Sequence, residues 1–212
     1  MSLQLHVRRL STPTATLVQD VHLQIAPGTV HTLMGPSGCG KSSLLAAVCG
    51  TLPDGLAFDG EVRLNGTRID TLPTQARRVG ILFQEDLLFA HMTVGENLLF
   101  AVAAGPASAR MAQVQQALQD VEMAGHLHTN PATLSGGQRT RIALARALLA
   151  QPHALLLDEP FSKLDAALKD RMRTLVFGLV QARNIPVLLV THDLGDVADA
   201  QQCTQLSPVT SH

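Results

Sequence analysis

The chain has 212 residues, 46% of them hydrophobic and 16% charged, which is enough apolar material for one packed domain. Its formal net charge is −1 and it contains no basic block, so the sequence argues against a nucleic-acid partner. No apolar run reaches the roughly 18–20 residues of a membrane span, and residues 1–10 lack the apolar core of a signal peptide, so we expect a cytoplasmic chain.

The sequence gives little support for disulfides or a metal cluster. Cys39, Cys49 and Cys203 are odd in number and have no CxxC spacing, which argues against both a disulfide framework and a zinc site. The histidines His126 and His128 lie close together in a polar stretch with no third ligand nearby. We interpret that stretch as a solvated loop rather than as a metal site.

Short apolar runs alternate with helical patterns along the chain, which is typical of a parallel sheet with helices on its faces. The predicted core strands are Val30–Met34, Val79–Phe83, Ala154–Asp158 and Pro186–Thr191. The stretch Glu61–Ile69 instead alternates around Asn65 and Gly66, which predicts a type I′ hairpin. We place this hairpin with the N-terminal segments in an antiparallel edge sheet, giving an α/β fold.

A helical pattern follows between Thr93 and Gly125. Met111, Val114, Leu118 and Val121 recur at steps of three and four residues, which predicts an amphipathic helix packed on a core. We therefore expect a single domain, residues 1–212, in which a helical subdomain at about 85–151 is inserted into an α/β core formed by about 1–84 and 152–212.

The segment LMGPSGCGKSS follows a predicted strand and opens a helix, and it contains the pattern G-x-x-x-x-G-K-[ST]. Small, flexible residues let backbone N–H groups converge on phosphate oxygens, and the helix directs its positive end at the same point. Lys41 would supply a cation to the terminal phosphates and Ser42 a hydroxyl ligand to Mg²⁺. The alternative is a glycine-rich turn without a ligand. The predicted cofactor-binding residues of this loop are Gly35, Pro36, Ser37, Gly38, Cys39, Gly40, Lys41, Ser42 and Ser43.

Two adjacent carboxylates end the apolar strand in ALLLDEP. Asp158 is suited to hold Mg²⁺ through water opposite Ser42, and Glu159 is suited to act as a base on an attacking water. A solvated turn is the structural alternative.

A second glycine-rich helix start lies just upstream, in LSGGQ. Ser135 is a candidate N-cap, and Gly136 and Gly137 would expose backbone N–H groups at the head of a helix that runs to Ala150. The chain therefore carries a second candidate phosphate-binding helix end, formed by Ser135, Gly136, Gly137 and Gln138.

Together, GPSGCGKS, LSGGQ and LLLDEP resemble the motifs of the ATPase subunits of ABC transporters, over nearly the whole chain. The resemblance implies a P-loop NTPase core, with ATP and Mg²⁺ as cofactors. It further implies that the LSGGQ helix end binds the γ-phosphate held by the P-loop of a second copy, in an ATP-dependent head-to-tail dimer.

The resemblance also implies roles for single positions. Gln84, at the end of VGILFQ, matches a glutamine that approaches Mg²⁺, and His192 matches a switch histidine that contacts the γ-phosphate and the catalytic glutamate. Asp165, in SKLD, matches an acid at the dimer interface, while Lys163 stands where alanine is more usual. The implied catalytic residues are Lys41, Gln84, Glu159 and His192, and the implied metal contacts are Ser42, Gln84 and Asp158.

The sequence departs from the family at both ends. Members usually carry an aromatic residue near the N-terminus that stacks on adenine, whereas the aligned stretch here is LSTPTATL and the chain has no Trp or Tyr. After His192 there is room for one more short strand, so we expect no fused regulatory domain and a shortened final hairpin.

The segment QEDLLFAHMTVGENLLF, with TLPTQARR and PATLSGGQR, resembles bacterial importer ATPases, including those of thiamine importers. This implies transmembrane permease subunits as partners, an external solute-binding protein served indirectly, and a position on the cytoplasmic side of the inner membrane. Leu87, Leu88 and Phe89 are the candidate permease contacts, with ordinary core packing as the alternative. The other functional hypotheses are a non-transport ABC ATPase and a P-loop kinase or GTPase. The transported substrate is not predicted.

Overall fold

The computed structural model describes residues 1–207, and a parallel sheet of five strands lies at its centre. From one edge to the other the strands are β6 (Val79–Leu82), β7 (Ala154–Asp158), β8 (Val187–Thr191), β3 (Val30–Met34) and β9 (Cys203–Gln205). All residues of β3, β7 and β8 are buried, as expected for strands that are covered on both faces.

A second, antiparallel sheet has the order β2 (Thr16–Ile25), β1 (Leu3–Ser11), β4 (Ala57–Leu64) and β5 (Thr67–Arg68). The turn between β4 and β5 contains Asn65 at φ 54° and Gly66 at φ 79°. Positive φ at both central residues is the requirement of a type I′ turn, so the predicted hairpin is confirmed.

The described part of the chain contains five α-helices: α1 (Lys41–Cys49), α2 (Val94–Leu99), α3 (Ala107–Asp120), α4 (Gly136–Leu149) and α5 (Ala166–Arg183). Among the described residues, no helix combines the length and apolar character that crossing a bilayer requires.

The core formed by residues 1–207 is divided into three hydrophobic clusters. Alternate residues of β7 serve different clusters, because successive strand side chains point to opposite faces: Leu156 packs with α1 and the antiparallel sheet, and Leu155 packs with α5. The third cluster joins α2, α3 and α4 through residues such as Leu98, Leu118 and Ile142. The segment predicted to be a helical subdomain thus has a core of its own, while its boundaries stay a prediction.

The observed strands differ from the predicted ones only at their ends. Phe83 lies beyond β6 and is 39% exposed, and Pro186, which has no N–H to donate, precedes β8. The predicted final strand is β9, which pairs in parallel with β3. The rest of the predicted tail, residues 208–212, lies outside the described residues.

Buried His31, on β3, contacts the segment that contains β9. Its side chain is 8% exposed, and its ring nitrogens contact Gln202 Oε1 at 3.3 Å and the hydroxyl of Thr204 at 2.9 Å. Burial lowers the pKa of His31, and the hydrogen bond to Gln202 opposes that shift. The unfolded chain therefore binds a proton at this position more readily than the folded chain does.

We expect the free energy of unfolding to fall as the pH falls through about 6.5 toward the lower pKa of folded His31. At higher pH the histidine is neutral in both states, so we expect it to contribute no pH dependence there. Urea unfolding at about pH 7.5 and about pH 5.5, on either side of the usual histidine pKa, measures the effect. The decrease in the free energy of unfolding between the two pH values is expected to be smaller in His31→Gln than in wild type. The control His91→Gln, at an exposed position, is expected to show the same decrease as wild type. Equal losses in all three proteins would contradict it.

Candidate active site

The predicted site residues converge at one edge of the parallel sheet. Asp158 is the last residue of β7, His192 directly follows β8, and Gln84 follows β6 by two residues. The glycine-rich loop joins the end of β3 to α1. Because the carboxyl ends of parallel strands share one edge, these four loops meet there, where ligands bind in open α/β sheets.

The loop between β3 and α1 is shaped by its glycines. Gly38 and Gly40 have φ values of 82° and 93°, a conformation that favours glycine. A Cβ at Gly35 would lie 2.7 Å from Cys39 Sγ, so that position requires glycine for space. Gly40 caps α1 without a side-chain hydrogen bond, which leaves the N–H groups of the first turn for a ligand such as phosphate.

Lys41 lies at the centre of this loop. Its Nζ donates hydrogen bonds to the carbonyl oxygens of Gly35 at 2.7 Å and Pro36 at 2.9 Å, and the residue is only 6% exposed. The two carbonyl oxygens hold the Lys41 ammonium beside the uncapped start of α1, so its positive charge adds to that of the free N–H groups there.

Ser42 and Asp158 form the polar contact beside the cradle. The Ser42 hydroxyl donates to Asp158 Oδ1 at 3.0 Å. Burial, chiefly, raises the pKa of the Asp158 carboxyl; neighbouring Glu159 also raises it, whereas the hydrogen bond from Ser42 and the charge of Lys41 lower it. A desolvated carboxylate of this kind is stabilised by a nearby cation.

Glu159 and His192 form a second pair, with His192 Nδ1 3.0 Å from Glu159 Oε1. Glu159 has φ 46°, a left-handed conformation that costs a non-glycine residue of the order of 1–3 kcal/mol. Its N–H donates to the Val190 carbonyl at 2.9 Å, which ties this strained residue to β8. The two segments that carry the pair are therefore held together by backbone as well as by side chains.

A cavity of about 300 Å³ opens over Lys41, Ser42 and Glu159, whereas Asp158 and His192 do not line it. It is lined by Leu17, Ser37, Gly38, Gly40, Lys41, Ser42, Ser43, Gln84 and Glu159. Gly35, Pro36 and Cys39 were predicted to bind the cofactor but do not line it, and Cys39 is 6% exposed within the hydrophobic core. Sequence reasoning missed Leu17, an apolar residue of β2 that carries no motif signal.

The second glycine-rich helix start is a capping box. Ser135 Oγ accepts a hydrogen bond from the Gln138 N–H at 3.3 Å, and Gln138 Oε1 accepts from the Ser135 N–H at 2.9 Å, which confirms Ser135 as the N-cap of α4. Gly136 has open space around it, whereas a Cβ at Gly137 would lie 2.4 Å from Leu168. A side chain at Gly137 would therefore have to displace the Leu168 side chain of α5.

The α4 start lies outside the cavity of its own chain, because none of Ser135, Gly136, Gly137 and Gln138 lines it. Asp165, predicted at a dimer interface, caps α5 by accepting from the Leu168 N–H at 3.0 Å, and neighbouring Lys163 is exposed. The two helix starts predicted to bind phosphate therefore lie apart in one chain, the start of α1 at the cavity and the start of α4 away from it.

The chain is similar to known proteins in both sequence and fold. The family model described as ABC transporter matches residues 18–162. The chain belongs to the ABC transporter family. This chain is an ABC ATPase, and the predicted P-loop fold and ATP-hydrolysing activity are confirmed at the level of the family.

The uncharacterized ABC transporter ATP-binding protein YnjD of Escherichia coli K12 is 53% identical to this ABC ATPase, over 89% of this chain and 87% of YnjD. The aliphatic sulfonates import ATP-binding protein SsuB 1 of Xanthomonas axonopodis pv. citri is 42% identical, over 92% of this chain and 76% of SsuB 1. The fold matches the bacterial ABC transporter cassette MJ0796, solved as a dimer, with a TM-score of 0.80 and 28% identity over 96% of this chain and 94% of that one.

The β1–β2 turn of this ABC ATPase lies in the stretch where an adenine-stacking aromatic residue was predicted to be missing. Thr12 donates its N–H to the Ala15 carbonyl at 2.8 Å, and its hydroxyl accepts from the Ala15 N–H at 2.9 Å. The residue here thus closes the turn instead of offering a ring to a nucleobase.

We expect Thr12→Tyr to tighten ATP binding about tenfold, since base–aromatic stacking contributes about 1–3 kcal/mol. Equilibrium titration with ATP measures the change, and Thr67→Tyr, at an exposed position of β5, is the control. An unchanged ATP affinity in the Thr12 variant would show that this turn does not lie beside the nucleobase.

Proposed function

We propose that two copies of this chain bind two MgATP molecules head to tail and hydrolyse them to drive solute import through a partner membrane permease. One observation carries the proposal: the cavity above the P-loop is built without the capped start of α4. Each chain therefore offers a P-loop half-site and a separate LSGGQ half-site, and a second copy is needed to bring the two kinds together.

The composite site has complementary parts. Gly40, Lys41 and the first turn of α1 supply donors and positive charge to the β- and γ-phosphates. From the second copy, the N–H groups of Gly136 and Gly137, which lack intrahelical acceptors at the start of a helix, would bind the γ-phosphate. ATP then contacts both copies, and the stability of the dimer depends on the ATP concentration.

The donor set beside the P-loop fits Mg²⁺. The Ser42 hydroxyl and the Asp158 carboxylate are 3.0 Å apart, and Gln84 lines the nucleotide cavity together with Ser42. Hydroxyl, carboxylate and amide oxygens are the hard ligands that Mg²⁺ prefers, and a cation there would offset the burial of Asp158. Bound Mg²⁺ would neutralise phosphate charge, with Ser42, Asp158 and Gln84 as its protein contacts.

Hydrolysis requires a water in line with the γ-phosphorus and a group that accepts its proton. Glu159 borders the cavity, and we assign it as the general base: the water oxygen bonds to the γ-phosphorus, the bond to the ADP oxygen breaks, and Glu159 takes the water proton. His192, 3.0 Å from the Glu159 carboxylate, fixes the orientation of that base. Lys41 stabilises the charge on the transferred group.

An apolar groove on the helical side is the candidate docking site for the permease. A cavity of about 310 Å³ is lined by Phe83, Phe100, Arg146 and neighbouring residues, and Phe100 is 69% exposed. Exposed apolar surface of this kind marks a site that a partner covers.

The predicted permease contacts divide between surface and core. Leu87 is 51% exposed, whereas Leu88 packs against two of the hydrophobic clusters. Phe89 packs edge-on against Phe100, with ring centroids 5.3 Å apart, and Arg146 lies over its ring at 5.7 Å. Among the three, Leu87 is the candidate for direct contact, and Phe89 supports the groove.

The direction of transport follows from relatives. SsuB 1 is an import ATP-binding protein, and the sulfate/thiosulfate and spermidine/putrescine import ATP-binding proteins CysA and PotA are 42% and 44% identical to this chain, which spans about half the length of each. We place this chain on the cytoplasmic side of the bacterial inner membrane, attached through its permease and served by an external solute-binding protein.

The dimer is tested with a variant that retains ATP. Glu159→Gln removes the base and keeps the side-chain volume, so saturating MgATP is expected to double the light-scattering mass of the 22.6 kDa chain. Lys41→Ala is the matched control and is expected to stay a monomer. A Glu159→Gln variant that binds MgATP and remains a monomer would overturn the proposal.

A further inference from the structure

A buried carboxylate organises the loop that carries His192. Asp196 is only 2% exposed, and both of its oxygens are used. Oδ1 accepts two hydrogen bonds from Arg173, from Nε at 3.0 Å and Nη2 at 2.6 Å, and Oδ2 accepts from the Thr191 hydroxyl at 2.7 Å. A charge this deeply buried persists only when it is paired and hydrogen-bonded, so Arg173 holds this loop to α5.

The hydrogen bonds close around His192. The Thr191 hydroxyl also accepts from the Asp193 N–H at 3.0 Å, so the residues on both sides of His192 are fixed by one hydroxyl group. The Asp193 carboxylate accepts from Lys169 Nζ at 2.7 Å, a second tie to α5. The backbone of His192 therefore has little freedom to shift relative to α5.

The same guanidinium also contacts the segment that carries Glu159. Arg173 Cζ lies 5.9 Å from the ring centroid of Phe161, two residues after Glu159, and Phe161 is fully buried. Arg173 thus touches one chain segment through an ion pair and the other through a cation–π contact. These are the two segments whose side chains meet in the His192–Glu159 hydrogen bond.

We propose that Arg173 is a positioning residue that aligns His192 with Glu159 for ATP hydrolysis, through its paired contacts with Asp196 and Phe161. The inference rests on the proposed roles of Glu159 and His192. Arg173 acts through these residues and does not line the nucleotide cavity, so its loss changes the rate of hydrolysis and leaves ATP affinity in place.

Three variants of the full chain test this. Arg173→Met removes the charge, Arg173→Lys keeps the charge without the planar fork, and Thr191→Val keeps the Arg173–Asp196 pair while removing the hydroxyl. Arg183→Met is the matched control, because Arg183 lies on the same helix and pairs with Asp120 at 3.1 Å at the far end. The measurements are kcat, KM for ATP and Tm.

We expect kcat to fall about 10–100-fold in Arg173→Met, with KM within about threefold of wild type, because a small misplacement of a catalytic group has effects of this size. The kcat values of Arg173→Lys and Thr191→Val are expected to lie between those of Arg173→Met and wild type. The kcat of Arg183→Met is expected to equal that of wild type. If Arg173→Met does not fold, the two milder variants decide the question.

A wild-type kcat in every folded variant would overturn the inference. A loss of kcat/KM in Arg173→Met that comes entirely from a higher KM would overturn it as well. Glu159→Gln, assayed in parallel, separates this result from the proposed function. If Glu159→Gln is inactive while the Arg173 and Thr191 variants are normal, only the positioning role fails. If Glu159→Gln hydrolyses ATP normally, the assigned base fails, and the role of Arg173 fails with it.

Discussion

Glu159→Gln is expected to bind ATP with wild-type affinity and to hydrolyse it about 10²–10⁴-fold more slowly, the range that a general base contributes. The amide preserves the volume of the side chain but cannot accept the proton of the attacking water. Glu159 lines the cavity and lies 3.0 Å from His192, so no other part of the site needs to change.

Fluorescence titration for binding and phosphate release for turnover measure these two quantities separately. Glu85→Gln is a control, because Glu85 is an exposed acid next to Gln84 that does not line the cavity. A Glu159→Gln protein with wild-type turnover would show that another group takes the proton.

Ser135→Arg is expected to leave the binding of ATP to a single chain intact. Turnover is expected to fall about 100-fold or more, because the variant cannot form the dimer. The basis is that Ser135 borders no part of its own nucleotide cavity but caps the helix end assigned to the partner's γ-phosphate. An arginine there replaces the cap and fills the space above Gly136, around which the structure is open. The loss of the cap alone costs about 0.5–2 kcal/mol of stability.

The control for that stability cost is Thr93→Arg. Thr93 forms the same kind of capping box at the start of α2, with the Glu96 N–H donating to its hydroxyl at 3.2 Å. Both variants lose a cap, so both are expected to show a similar drop in Tm, while only Ser135→Arg loses turnover. Weakened ATP binding by the Ser135→Arg monomer would contradict the assignment of the two half-sites.

Features set by short stretches of sequence were predictable. The β7 and β8 runs were recognisable because strands covered on both faces are continuously apolar, and the Asn65–Gly66 turn because its dihedral angles need those residues. Ser135 was recognisable as an N-cap because the hydrogen bond to Gln138 is local. The P-loop was likewise recognisable, because its conformation is determined by a few neighbouring residues.

Features that depend on contacts between distant segments were not predictable. The sequence indicates that Gly137 exposes its N–H group, yet the atom that a side chain there would approach most closely belongs to Leu168 on another helix. Cys39 belongs to the phosphate-loop motif but faces the core. The contact of Arg173 with Asp196 joins a helix to a loop, and no local pattern connects the two residues.

The central claim is that each nucleotide site is shared between two copies, and mixing inactive variants tests it most directly. Lys41→Ala disables the P-loop half-site and Ser135→Arg disables the LSGGQ half-site, so each variant alone is expected to be inactive. In a mixture, a dimer of one with the other contains one site with both halves intact, and hydrolysis returns. The control is a chain that carries both substitutions, mixed with wild type at the same ratio. Neither site of that mixed dimer has both halves intact, so the mixture is expected to hydrolyse no more ATP than its wild-type dimers alone. Hydrolysis that stays absent when the two single variants, each folded, are mixed would contradict the shared site.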